Sequence, residues 1–161
     1  MKTFNLFVVK IESRLKDTIT SDSGFELYID SKFDDFTNRT TEAPVVCVPF
    51  KYETGVEVGD TLYFHHLVVL GGDNSGQIFT QEDNTYIVNY DPVHAIGNQA
   101  IAYKSKKSGE IRCLTGWCLL KEVEQKELTL QSDIIEIVDL QEKLPTKAEV
   151  VYTCEEADTM G

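Results

Sequence analysis

EVGDTLYFHH, residues 57–66, decides the reading of the chain. A Gly-Asp turn runs straight into alternating apolar and aromatic residues and ends on two histidines. In an extended strand Leu62 and Phe64 share one face, while Tyr63 and His65 take the other. Adjacent residues of a strand point to opposite faces, so His65 and His66 are not expected to share a metal ion. The third histidine, His94, follows Val93 with no carboxylate pattern around it, and no H-E-x-x-H spacing occurs. The stretch is predicted to be a core strand of the frame, not a site.

Working outward, the same kind of stretch recurs. FNLFVVKIE, GFELYID, APVVCVPF, TLYFHHLVVL, QIFTQ, NTYIVNY and VHAIGN are short, rich in Val, Ile, Tyr and Phe, and closed by turn residues. No window sustains helical spacing with caps at both ends. Strands at this spacing predict an all-β fold, a small closed barrel or sandwich.

The 161 residues carry a formal net charge of −12. Residues 1–100 hold seven basic and fifteen acidic side chains, and residues 101–161 hold eight and twelve. Neither part is basic, so phosphate backbones and anionic lipid surfaces repel the chain, and neither nucleic acid nor membrane is expected as a partner. The apolar run Phe4–Val9 is too short for a signal-peptide core, and nothing approaches the roughly 18 apolar residues of a membrane span. Cys47, Cys113, Cys118 and Cys154 are scattered, and a cytoplasmic location with reduced, buried, structural thiols is expected. Cys113 and Cys118 stand too far apart for a zinc knuckle, and no second pair completes them.

Catalytic patterns are missing as well. No serine sits in a G-x-S-x-G elbow, and no glycine-rich run ends in Lys-Ser or Lys-Thr. Gly71–Gly76 reads as a hairpin turn. The adjacent pairs Asp34/Asp35 and Glu155/Glu156 read as solvated surface acids. No enzymatic activity, metal or cofactor of the chain's own is expected.

Two polar segments, Lys16–Gly24 and Ser31–Glu42, flank an apolar island at Phe25–Ile29. They form either a long surface hairpin or a mobile binding loop. The chain also repeats itself. LFVVKIE (6–12) matches WCLLKEVE (117–124) when Lys10 is set against Lys121. SDSGFELYID (21–30) lies over LQSDIIEIVD (130–139), TTEAPVVCV (40–48) over PTKAEVVYT (145–153), and ETG (53–55) over TMG (159–161). Four matches in the same order mark a partial second copy. The division expected is a barrel over 1–98, a linking hairpin over 99–110, and an incomplete second repeat over 111–161.

In the order of these elements the chain resembles the co-chaperonins of the GroES type. Val8–Lys10 is similar to the family's first V-I-V-K strand, and Gly24-Phe25-Glu26-Leu27-Tyr28-Ile29 resembles its mobile-loop motif. Val58-Gly59-Asp60 with Leu62–Phe64 matches its V-G-D and following strand. Glu82-Asp83-Asn84, Tyr86–Val88 and Val93–Ile96 match its closing elements, and Ile111–Glu122 resembles its N-terminus a second time. Glu26 interrupts a loop tripeptide that is wholly aliphatic in ordinary members. The contact set is then Phe25 and Leu27, or Leu27, Tyr28 and Ile29. The connection from Phe50 to Val58 is short, as in the bacteriophage members, which points to a phage source.

The resemblance implies a GroES-like barrel that caps a GroEL-type chaperonin ring through its loop and encloses an unfolded client protein. It implies a homo-oligomeric, seven-fold ring, with ATP used by the chaperonin. Chaperonin contacts are expected at Gly24, Phe25, Glu26, Leu27, Tyr28 and Ile29. The rival loop in the second copy is Ile134, Ile135, Ile137 and Val138. The alternative is a structural or assembly β-barrel, such as a virion or scaffold component, that binds no chaperonin.

Overall fold

The structure, a computed structural model, describes residues 2–16, 18–21, 23–28, 38–69, 78–80, 83–94, 97–123 and 148–154. Among these the chain is all-β. Its strands are β1 (Lys2–Thr3), β2 (Leu6–Lys10), β3 (Thr18–Thr20), β4 (Glu26–Tyr28), β5 (Glu42–Pro49), β6 (Thr61–Phe64), β7 (Ile78–Thr80), β8 (Thr85–Asn89), β9 (Ala100–Lys104), β10 (Ile111–Cys113), β11 (Leu119–Glu122) and β12 (Ala148–Tyr152), with one 3-10 turn at His66–Val69. β5 shows why. Ala43, Val45, Cys47 and Pro49 are buried, and Glu42, Pro44 and Val46 between them are exposed. That two-residue period fits a strand with one face in a core and one in water.

The main sheet has the order β10-β9-β6-β5-β2-β8-β7, with β1 added parallel to β5. Every other neighbour in that order is antiparallel. The hydrogen-bonded order is open, with β10 and β7 at its edges. It is nevertheless strongly curled. β8 and β9 lie four strand steps apart, about 19 Å on a flat sheet. Val88 of β8 and Ala100 of β9 still share one core with Phe7, Val9, Val45, Leu62 and Phe64. The N–H of Gln99 donates to the carbonyl of Asn89 at 2.9 Å, and the N–H of Asn89 donates to Oε1 of Gln99 at 3.2 Å. The end of β8 therefore meets the start of β9. Burying each of the large core side chains is worth about 1.5–3 kcal/mol, which stabilises the curl around them.

The Gly-Asp turn performs the framing role expected of it. Gly59 takes a left-handed φ of 96°. Asp60 is buried, and its carboxylate accepts the N–H of Glu57 at 2.8 Å and that of Lys106 at 2.9 Å. Leu62 and Phe64 point into the core as expected, and Tyr63 faces the other way.

Three stretches depart from the pattern read in the sequence. VHAIGN contains no strand among its described residues. The carboxylate of Asp91 accepts the N–H groups of Val93 and His94 and winds the chain into a turn there. The strand lies further on, at Ala100–Lys104. The sheet consequently runs across residue 98 and through the expected linking hairpin to Cys113. The polar segment Lys16–Gly24 contains β3, which pairs with β4. TLYFHHLVVL is strand only to Phe64; from His66 it is a 3-10 turn that buries Val68 and Val69.

The two sets of strands suspected of repetition share one register. In the first, Val8 pairs with Cys47 and Val9 with Val45, with a bulge between Val8 and Val9. In the second, Leu119 pairs with Tyr152 and Leu120 with Val150, with a bulge between Leu119 and Leu120. Setting Lys10 on Lys121 and Val45 on Val150 carries one set of pairs onto the other, bulge included. The parallel bridge from Lys2 to Val48 likewise maps onto Cys113 and Thr153, where the N–H of Cys113 donates to the carbonyl of Thr153 at 3.3 Å.

Candidate functional site

The candidate site is the β3–β4 hairpin, which forms a two-stranded sheet of its own beside the main one. Thr18 pairs with Tyr28, Ile19 with Leu27 and Thr20 with Glu26. Its tip is built by Ser21. The N–H of Ser21 donates to the carbonyl of Phe25 at 2.8 Å, and its own carbonyl accepts the N–H of Gly24 at 2.8 Å. The Ser21 hydroxyl accepts the N–H of Phe25 at 3.1 Å. Gly24 closes the turn with a φ of 83°, a conformation that favours glycine.

A neck of polar contacts ties this arm to the body. The N–H of Lys16 donates to Asn38 at 2.6 Å, and that of Thr40 donates to Arg14 at 2.9 Å. The Thr40 hydroxyl donates to Ser13 at 2.8 Å. Lys16 pairs with Glu42 at 3.5 Å, both partly in water, so the charge pair itself adds little. Arg14 donates from Nε to the hydroxyl of Tyr86, a core residue, at 2.8 Å.

Beyond the neck, apolar surface meets solvent. Phe25 is 77% exposed, Leu27 65% and Tyr28 78%, and Glu26 between them is exposed too. Scattered exposed hydrophobics are ordinary, and here three large ones stand together on one short arm. Leu27 belongs to both contact sets drawn from the sequence. Ile29 lies outside the described residues, as do Ile134, Ile135, Ile137 and Val138 of the rival loop.

The remaining chemistry is sparse. Among the described residues no three His, Cys, Asp or Glu side chains are grouped to hold a metal ion. His65 and His66 do meet, with ring centroids 4.2 Å apart, because the strand ends at Phe64 and alternation ends with it. Burial, then the neighbouring charges of His65 and Arg39, lower the pKa of His66. Cys47, Cys113 and Cys154 are buried as expected, and burial pushes the Cys113 thiol up, away from reactivity. Cys118 is exposed instead. A polar cleft of about 720 Å³ opens between β10 and the end of β12, where Arg112 is held by Glu110 at 3.1 Å. No helix among the described residues is long and apolar enough to cross a membrane.

Comparison with known proteins returns no match, neither to a family model nor to a curated protein nor to a solved structure.

Proposed function

We propose that this chain is a cytoplasmic co-chaperonin. It docks on a GroEL-type chaperonin ring through the β3–β4 hairpin and assists ATP-dependent folding of an enclosed client. The observation that carries this reading is the exposed set Phe25, Leu27 and Tyr28 on an arm whose anchoring contacts, among the described residues, lie at its neck. The curled sheet around one core, joined across Asn89 and Gln99, supports a GroES-like barrel as the body that presents the arm.

The physics suits reversible capping. One arm offers three or four apolar side chains and binds weakly. A ring of arms, seven by the family resemblance, binds together and gains on the order of 10² to 10⁴ in affinity without any new contact. Weak single contacts let the cap leave when the chaperonin changes state, and nucleotide hydrolysis belongs to the partner.

The test is capture of the full chain by a bacterial chaperonin or that of a cognate phage, with and without ATP, read by native mass. Nucleotide-dependent capture supports the reading, and the mass counts chains per ring. No capture by either chaperonin refutes it.

A further inference from the structure

One row of side chains crosses the main sheet and carries on past its edge. Tyr63 of β6 registers with Ala102 of β9, and Ala102 registers with Cys113 of β10. Directly paired residues of neighbouring strands face the same way, so these three share one face of the sheet. β10 ends the sheet on that side. Beyond it, the N–H of Cys113 donates to the carbonyl of Thr153 at 3.3 Å, and its Sγ donates to the carbonyl of Tyr152 at 3.5 Å. Cys154 comes next in the chain, and it is buried in one cluster with Ala102 and Cys113.

These contacts bring two thiols within bonding reach. The peptide from Thr153 to Cys154 is trans, which sets the Thr153 oxygen on the same side as the Cα of Cys154. A residue hydrogen-bonded to that oxygen has its Cα roughly 5–6 Å from that of Cys154, inside the spacing a disulfide spans. Both side chains already lie in the same apolar cluster, so neither has to cross to the other face of the sheet.

The other two cysteines are set apart by their places in the fold. Cys47 lies on β5, three strand steps from β10, roughly 14 Å on a flat sheet. Cys118 stands between Trp117 and Leu119, which both pack against the cluster, while Cys118 itself is exposed. The buried pair is also the one that joins two parts of the chain. Cys113 belongs to the main sheet, and Cys154 follows β12 of the second repeat.

We propose that Cys113 and Cys154 form a reversible disulfide, which staples the second repeat to the edge of the main sheet under oxidising conditions. This inference does not rest on the chaperonin reading. Both residues are free thiols in the structure. Burial, with Cys118 and Cys154 adding to it, holds the Cys113 thiol protonated and favours the reduced pair until an oxidant arrives. The oxidant is a low-molecular-weight disulfide of the glutathione class. The Cys154 thiolate attacks one of its sulfurs, forming a mixed disulfide and releasing the first small thiol. Cys113 acts second, since its thiol gives up the proton reluctantly. Its thiolate attacks Sγ of Cys154, closes the Cys113–Cys154 bond and expels the second small thiol. The pair loses two protons and two electrons, and the small disulfide becomes two thiols.

The test holds the full chain in glutathione buffers from fully reduced to fully oxidised, traps free thiols with a maleimide, and maps the linked peptides. Cys113 and Cys154 should lose their free thiols together, joined to each other, and dithiothreitol should restore both. In urea, where the fold no longer selects partners, the short loop from Cys113 to Cys118 should be the favoured link instead. Oxidation should raise the urea midpoint of the parent chain and of Cys118→Ser, and leave that of Cys154→Ser unmoved. The peptide map uses the unsubstituted chain, so it decides even where a cysteine variant fails to fold. Free Cys113 and Cys154 in fully oxidised glutathione, or either one linked to another thiol in the folded chain, would overturn the inference.

Discussion

Asp60 accepts the backbone N–H of Lys106 at 2.9 Å, joining residues 46 positions apart. Its other oxygen holds the N–H of Glu57 at 2.8 Å, so one buried carboxylate clamps the turn before β6 to the turn after β9. Asp60→Ala leaves two backbone donors without this acceptor and should cost about 2–4 kcal/mol in urea unfolding. Asp60→Asn, which keeps one acceptor oxygen, should recover part of that. A loss below about 0.5 kcal/mol would show that water substitutes for the carboxylate.

Gly55 is a second position where the frame is sensitive to substitution. Its φ is 70°, and a Cβ there would lie 2.8 Å from the hydroxyl of Tyr103. Gly55→Ala should cost roughly 1–3 kcal/mol, part from the backbone conformation and part from the clash. In a Tyr103→Phe background the clash is relieved, so a double-mutant cycle should return a coupling of at least about 0.5 kcal/mol. Strict additivity would show that the ring simply swings aside.

The hairpin variants separate binding from folding. Phe25→Ser with Leu27→Ser should abolish chaperonin capture. Both side chains stand in water, so stability should stay within about 0.5 kcal/mol of the parent. Retained capture would move the contact elsewhere in the chain.

Protonation of His66 should be costly. Burial and then the charges of His65 and Arg39 hold its folded pKa below the ordinary 6.5. The unfolded chain takes the proton first, so the stability linked to this ring is fully present above 6.5. It is lost as the pH falls from there through the lower folded value. His65→Ala should move the His66 midpoint upward in an NMR titration. An unmoved midpoint would leave burial as the cause.

The all-β class was legible because alternation is local. β5 is a run of apolar, largely β-branched letters whose two-residue period shows only in its burial, and Leu62 and Phe64 declare the core face of β6. Strand ends were less legible, because side-chain caps set them. Asp91 turns an apolar run into a loop, while Ala100–Lys104, with Ile101 and Tyr103 set between two alanines and a lysine, occupies the sheet between β6 and β10. β3 is Thr-Ile-Thr in a polar setting and is strand only because β4 lies beside it. His65 and His66 were placed apart by a strand rule that stops applying at Phe64. The repeat was the most informative signal beyond local pattern. Two of the four matches, LFVVKIE with WCLLKEVE and TTEAPVVCV with PTKAEVVYT, fall on strands that share a register down to its bulge. The second-copy halves of the other two, 130–139 and 159–161, lie outside the described residues.

The neck of the β3–β4 hairpin makes it a lever with a defined load path. A pull on Phe25 loads its bonds to Ser21 first, then the three ladder pairs from Thr20 to Thr18, then the Lys16–Asn38 and Arg14–Thr40 bonds. Past the neck it arrives at Tyr86 through the Arg14 guanidinium, and Tyr86 belongs to the core strand β8. The arm can thus unzip from its tip as a mechanical fuse, giving way pair by pair and so limiting the load that the body must carry.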